Sequence, residues 1–141
     1  MTGIFTAVQP ERSVRELTLR GAVAVGLSLL VNWLLLAVVL LTEFVEPFDP
    51  LSFPPVTLLT ALGAIGAVVV YAAIDRRSRT PDRTFALVAV TVLVVSFIPD
   101  LALLVFDDNA TVGAVAVLMA MHVTVAAICV EVLTEYVLLD I

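Results

Sequence analysis

Lysine is absent from this chain: all seven basic residues are arginine. Histidine, cysteine and tryptophan occur once each, as His122, Cys129 and Trp33. A single cysteine excludes an intrachain disulfide and leaves the redox compartment open. A single histidine leaves no second imidazole to complete a metal centre within one chain. There is no GxSxG or HExxH motif and no pair of aspartates at membrane depth, so hydrolase and protease chemistry lack their partners. No haem-attachment motif occurs, and haem here would need His–Met ligation or axial ligands from two chains. These absences point to a non-enzymatic protein without a resident cofactor.

Charge is also scarce. Charged side chains make up 14% of the 141 residues against 62% hydrophobic, and the mean hydropathy is +1.16. A soluble domain of this length cannot hide so much apolar surface, because small folds leave much of their area facing solvent. Four apolar stretches, 21–42, 56–74, 84–106 and 111–133 or slightly longer, reach or approach the length that crosses ~30 Å of hydrocarbon. The expected fold class is all-α: an integral membrane bundle of four antiparallel transmembrane helices. The first stretch starts some way into the chain and lacks a small-residue cleavage site, so it reads as a retained helix rather than a signal peptide. Segment 1–20 then precedes a transmembrane domain spanning 21–139, and 140–141 form the C-terminal end. Arginine without lysine, many Asp, Val and Ala residues and a pI near 4.5 are the composition of a high-salt proteome, by analogy with salt-loving archaea.

The arginines are unevenly placed. Arg12, Arg15 and Arg20 precede the first stretch, and Arg76, Arg77, Arg79 and Arg83 crowd the second loop. The first and third loops carry Glu43, Glu46, Asp49, Asp107 and Asp108 and no basic residue. The positive-inside rule therefore places both termini and the second loop in the cytoplasm, which fits an even number of spans in the cell membrane. The same arginines suit anionic headgroups and give no support to nucleic-acid binding. "ERSVRELTLR" (11–20) reads as a short interfacial helix leading into the first span. The first loop, with prolines at 47, 50, 54 and 55, reads as an extended, stiff path. Thr111 is placed to cap the fourth helix. Glu131 and Glu135 read as snorkelling or pairing with Arg76, Arg77 or Arg83.

Helical spacing sorts the few polar residues inside the spans. Ser28 and Asn32 are four apart in the first; Ser96 and Asp100 are four apart in the third; His122 shares a face with Ala126 and Cys129 in the fourth. Thr57, Thr60, Ala64 and Ala67 form a small, weakly polar stripe beside Gly63 and Gly66 in the second. At 1.5 Å per residue, Asn32, Ser96 and His122 all fall about 15–18 Å deep, with Asp100 about a turn further on at the level of Thr60. The expectation is a buried cluster of Asp100, His122, Asn32 and Ser96 with Thr60. Pro99 belongs to it: a mid-helix proline leaves the carbonyl of Val95 without its donor, and Ser96, a water or His122 is at hand to supply one.

The membrane tolerates Asp100. A mid-span Asp costs about 2.5–3.5 kcal/mol, while each of the fifteen Leu, Ile, Phe and Val residues in 84–106 returns ~0.3–0.6. Two readings of the acid stay open: a hydrogen-bonded pair with His122 that fixes packing, or a pathway, relay or sensor for protons or ions. Met119, three residues before His122, makes a weak Cu(I) candidate, and filling the core is the simpler role for it. Gly63 and Gly66 permit close helix approach, within the chain or between protomers. Trp33, far from an interface belt, reads as a lipid-facing or oligomer contact.

"LVNWLLL" in the first span, "PLSFPPVTLLTALGAIGAVVVYAAIDRRSRTPDRTF" across the second and its loop, "SFIPD" in the third and "LMAMHVTVAA" in the fourth follow one order. That order resembles an uncharacterised family of small four-helix membrane proteins, a domain of unknown function common in actinobacteria and haloarchaea. The resemblance runs from about Ala22 to Val132 and leaves out the C-terminal "EVLTEYVLLDI". It picks out Asn32, Pro99, Asp100 and His122 and implies no activity. The sequence as a whole points to a small membrane subunit, structural, accessory or partner-binding, that self-associates or joins a complex in the bilayer. The alternative is a proton- or ion-handling protein working through Asp100 and His122.

Overall fold

A computed structural model describes residues 13–134. Helix α1 runs Val14–Leu41, α2 Phe53–Arg77, α3 Pro81–Phe106 and α4 Val112–Leu133. Each is long and apolar enough to span a membrane. Arg12 and Glu135 lie outside the described residues.

Local chemistry accounts for the ends. Ser13 caps α1 by accepting from the backbone N–H of Glu16 at 3.1 Å, and this S-x-x-E spacing is that of a capping box. With the start fixed there and no breaker before Gly21, the helix runs unbroken through Arg15 and Arg20 into the span. Within the described residues, the interfacial helix expected over 11–20 is the first two turns of α1, continuous with the span. Pro54 and Pro81 occupy the first turns of α2 and α3, where a missing N–H is harmless. Thr111 caps α4, accepting from Ala114 N at 3.1 Å. At the end of α1, Glu43 takes a left-handed φ of 51°, and Phe44 N returns to Val39 O at 3.3 Å, as in a Schellman stop.

The first loop departs from the extended path its prolines suggest. Leu51 N bonds back to Phe48 O at 2.9 Å, and the turn tucks Phe48 and Leu51 into the bundle until both are buried. The phenyl and isobutyl groups are the reason: they join Leu36, Val39, Val56, Ala114, Val117 and Met121 in one apolar cluster. A second cluster lies at the arginine-rich end, built on Leu17, Ala24, Ala64, Tyr71, Phe85 and Cys129 among others. Ser28, Asn32, Thr60 and Asp100 are buried polar residues on the stretches between the two.

Helix α1 packs closely on α2 and α4, and α3 packs on α4. Helices α1 and α2 come close at Gly21, where a Cβ would stand 2.8 Å from Val68 Cγ1. Arg20 turns inward and donates to the carbonyls of Val132 and Thr134 at 3.2 and 3.4 Å, closing the exposed end of α4. Arg15, Arg76, Arg77, Arg79 and Arg83 are exposed at this same end. Helix α3 is the outlier: 6% of its most apolar stretch is buried. It is held at its start, where Tyr71 Oη donates to the buried Asp82 at 2.5 Å and the Tyr71 and Phe85 rings meet edge to face at 5.3 Å.

Candidate functional site: a cleft between the second and third helices

Beyond that clasp, α2 and α3 stand apart. The gap is a half-enclosed cavity of about 800 Å³ whose floor is α4 and whose deepest wall includes Asn32 of α1. Small residues create it. A Cβ added at Gly63 or Gly66 would meet nothing within 4 Å, so the expected close approach at these glycines does not occur inside the chain. That approach falls at Gly21 instead. The cleft reaches from Phe85 to Leu103 along α3, about 27 Å at the helical rise. Its volume falls in the ~300–1,000 Å³ range of ligand sites.

The wall is apolar except at one level. Asn32, Thr60, Ser96, Pro99, Asp100 and His122 all line this cavity. His122 Nδ1 and Asp100 Oδ2 are 2.7 Å apart, the Asp100 side chain 10% exposed and the His122 side chain 40%. Neither atom has an in-line hydrogen bond among the described residues, so the contact is a close pair rather than an aligned bond. Asn32 Nδ2 donates to Thr60 Oγ1 at 3.0 Å. Asn32 itself is 1% exposed, and its Oδ1 has no partner among the described residues.

Three details differ from the sequence expectation. The level is not a sealed cluster, because His122 is open to the cleft and Pro99 is exposed. Ser96 does not serve the carbonyl of Val95; its hydroxyl donates to Leu93 O at 2.6 Å, since a serine in a helix reaches back along its own turn. Met119 stands away from the cleft, whose α4 floor is formed by Met121, His122 and Cys129 among others. Among the described residues no group of three or more His, Cys, Asp or Glu is gathered that would hold a metal.

Sequence reasoning missed several contacts. Trp33 is half-exposed, as a lipid-facing ring would be, yet its Nε1 donates to Thr57 Oγ1 at 2.8 Å. The Trp33–Thr57 and Asn32–Thr60 bonds, one residue and three residues apart on their helices, staple α1 to α2. The partnership of Tyr71 with Asp82 is also invisible in a linear reading, because an aspartate beside arginines looks solvated. The sequence signal for the cleft is the pair of glycines Gly63 and Gly66 on α2.

Four membrane-spanning helices around a lateral cleft define a multi-pass membrane protein. The chain belongs to the family of unknown function DUF6069, whose sequence pattern matches residues 11–137. That span is wider than the resemblance read from the motifs, and takes in "ERSVRELTLR" and the first part of the C-terminal segment. No curated protein and no solved structure matches the chain.

Proposed function

We propose that this protein is a non-enzymatic membrane subunit that binds another membrane component through the α2–α3 cleft. It sits in the plasma membrane with both termini and the arginine-rich second loop in the cytoplasm. The observation that carries the reading is the cleft itself: two spans held apart over most of their length, with Asn32, Asp100 and His122 on its wall. An apolar cleft of this size between spans, with a few polar groups on its wall, has the make-up of a binding site. Self-association is one way to fill it, and a partner molecule is another.

The test is a photoreactive amino acid placed at Val70 and at Val92, facing the cleft, and at Leu34 and Val38, exposed on α1. Irradiation in native membranes should give adducts of defined mass at the first pair and only heterogeneous bulk-lipid adducts at the second. Equal, heterogeneous labelling at all four positions would refute binding through the cleft.

The 2.7 Å approach of Asp100 to His122 favours a second reading, proton or ion handling, since ionisable pairs within spans commonly mark relays. Apolar clusters packed toward both ends of the bundle weigh against conduction through one protomer. Purified protein in sealed liposomes with an internal pH dye decides: proton, sodium or potassium flux lost in both Asp100→Asn and His122→Ala would replace binding with transport.

A further inference from the structure

Apart from His122 Nδ1, which faces Asp100 Oδ2, the unpartnered atoms on the cleft wall among the described residues are acceptors. Asn32 spends one amide hydrogen on Thr60, and its buried Oδ1 has no partner among the described residues. Ser96 spends its hydroxyl hydrogen on Leu93 O, which leaves its lone pairs toward any neighbour. Asp100 adds a carboxylate. A buried acceptor without a partner is expensive, and two such oxygens, Asn32 Oδ1 and Asp100 Oδ2, at one level of an otherwise apolar wall favour an occupant that brings a donor.

The position of that level fixes the shape of the occupant. Asp100 lies six residues from the end of α3 at Phe106, about 9 Å below it. On the other side the apolar cleft continues from Thr60 to Val70 on α2 and from Asp100 to Phe85 on α3, about 15 and 22 Å. That length is roughly one leaflet of a ~30 Å hydrocarbon core. A helix about 10 Å across and this long fills about 1,200–1,700 Å³, well above the 800 Å³ available. A single hydrocarbon chain does not exceed it.

We infer that the cleft is a binding site for a single-chain neutral amphiphile with a small hydroxyl head, a long-chain alcohol in chemical class. Its O–H donates to Asn32 Oδ1 or Asp100, and its chain runs toward the arginine-rich end between Gly66 and Val92. This rests on the reading that the cleft is the functional surface and names its occupant. A carboxylate head would face Asp100 and be repelled. An ammonium head would be drawn to Asp100, but it would carry its charge into hydrocarbon at a far greater desolvation penalty than a hydroxyl.

The test uses hexadecanol carrying a diazirine at mid-chain, with the purified full chain in phospholipid vesicles. Labelling should be saturable and map beside Gly66 and Val92. Unlabelled hexadecanol should compete at least tenfold better than its methyl ether, which keeps the chain and loses the donor. Gly66→Leu, which fills open space, should cut labelling at least tenfold, while Gly26→Leu, also in open space but off the cleft, should leave it unchanged. Asn32→Leu should bring alcohol and ether to parity; should that variant fail to fold, the competitor series and Gly66→Leu still decide. Equal competition by the ether, better competition by palmitate or hexadecylamine, or labelling untouched by Gly66→Leu overturns the assignment. If the alcohol does not bind saturably but the photoreactive residues at Val70 and Val92 capture a protein or a second copy of this chain, the cleft remains a binding surface and only the alcohol is wrong.

Discussion

Adding one methyl group at two glycines should have opposite consequences, and the comparison tests whether the cleft is open. In a bilayer the helices persist when the bundle comes apart, so helix propensity largely cancels and packing decides. At Gly21 the new Cβ would stand 2.8 Å from Val68 Cγ1 and 3.2 Å from Cγ2. Valine is stiff at χ1 and cannot swing aside, so α1 and α2 must separate. Overpacking of this kind destabilises by about 1–3 kcal/mol, and the shift also stretches the Asn32–Thr60 and Trp33–Thr57 bonds. At Gly66 the same methyl meets nothing, and Gly66→Ala should lie within about 0.5 kcal/mol of the parent protein, as surface substitutions do. Reversible unfolding in mixed micelles, followed by the fluorescence of Trp33, reads both variants on one scale. A Gly66→Ala protein as unstable as Gly21→Ala would mean that α2 and α3 are closed on each other and that the cleft does not exist in the folded protein.

Other residues make further tests. A double-mutant cycle of Asp100→Asn and His122→Ala, measured by the same unfolding assay, should return a coupling of about 0.6–2 kcal/mol, the range of polar contacts between spans; zero coupling would mean that the 2.7 Å contact has no energetic content. Tyr71→Phe removes the donor to the buried Asp82 and should lower stability by about 1–3 kcal/mol, with faster hydrogen exchange at the start of α3 as its local signature. Glu43→Gly relieves a side chain of its left-handed φ of 51°; a relief of about 1–2 kcal/mol less about 0.5–1 kcal/mol for the added freedom of glycine predicts a slight net gain, read as a raised melting temperature.

Why was the bundle legible in the sequence and the cleft not? The spans announced themselves because twenty consecutive apolar residues have few other uses, and Thr111 announced its cap by standing just before one of them. The packing faces left a fainter mark. In water, burial separates Leu from Glu; in lipid, both the inner and the outer face of a helix are apolar, so Val88, Val92 and Val95 of α3 look alike although Val88 and Val92 line the cleft and Val95 does not. Only the rare polar residues broke that degeneracy, which is why Asn32, Thr60, Ser96, Asp100 and His122 were readable as one level while the space beside them was not. Tyr71 and Asp82 failed for the opposite reason: among so many charges near the second loop, one buried carboxylate gives no local sign. At the first helix, hydropathy marks where the chain enters lipid, near Gly21, whereas Ser13 and Glu16 mark where the helix begins.

The Tyr71–Asp82 clasp makes α3 a lever. Clasped near Asp82 and, apart from its packing on α4, little buried along its most apolar stretch, the helix extends 24 residues from that fulcrum to Phe106, about 36 Å. A tilt of about 5° moves its far end by about 3 Å, carrying Asp100 away from His122 and the Asp107–Asp108 turn with it. A displacement of α3 against α4 is therefore largest at the end away from the clasp.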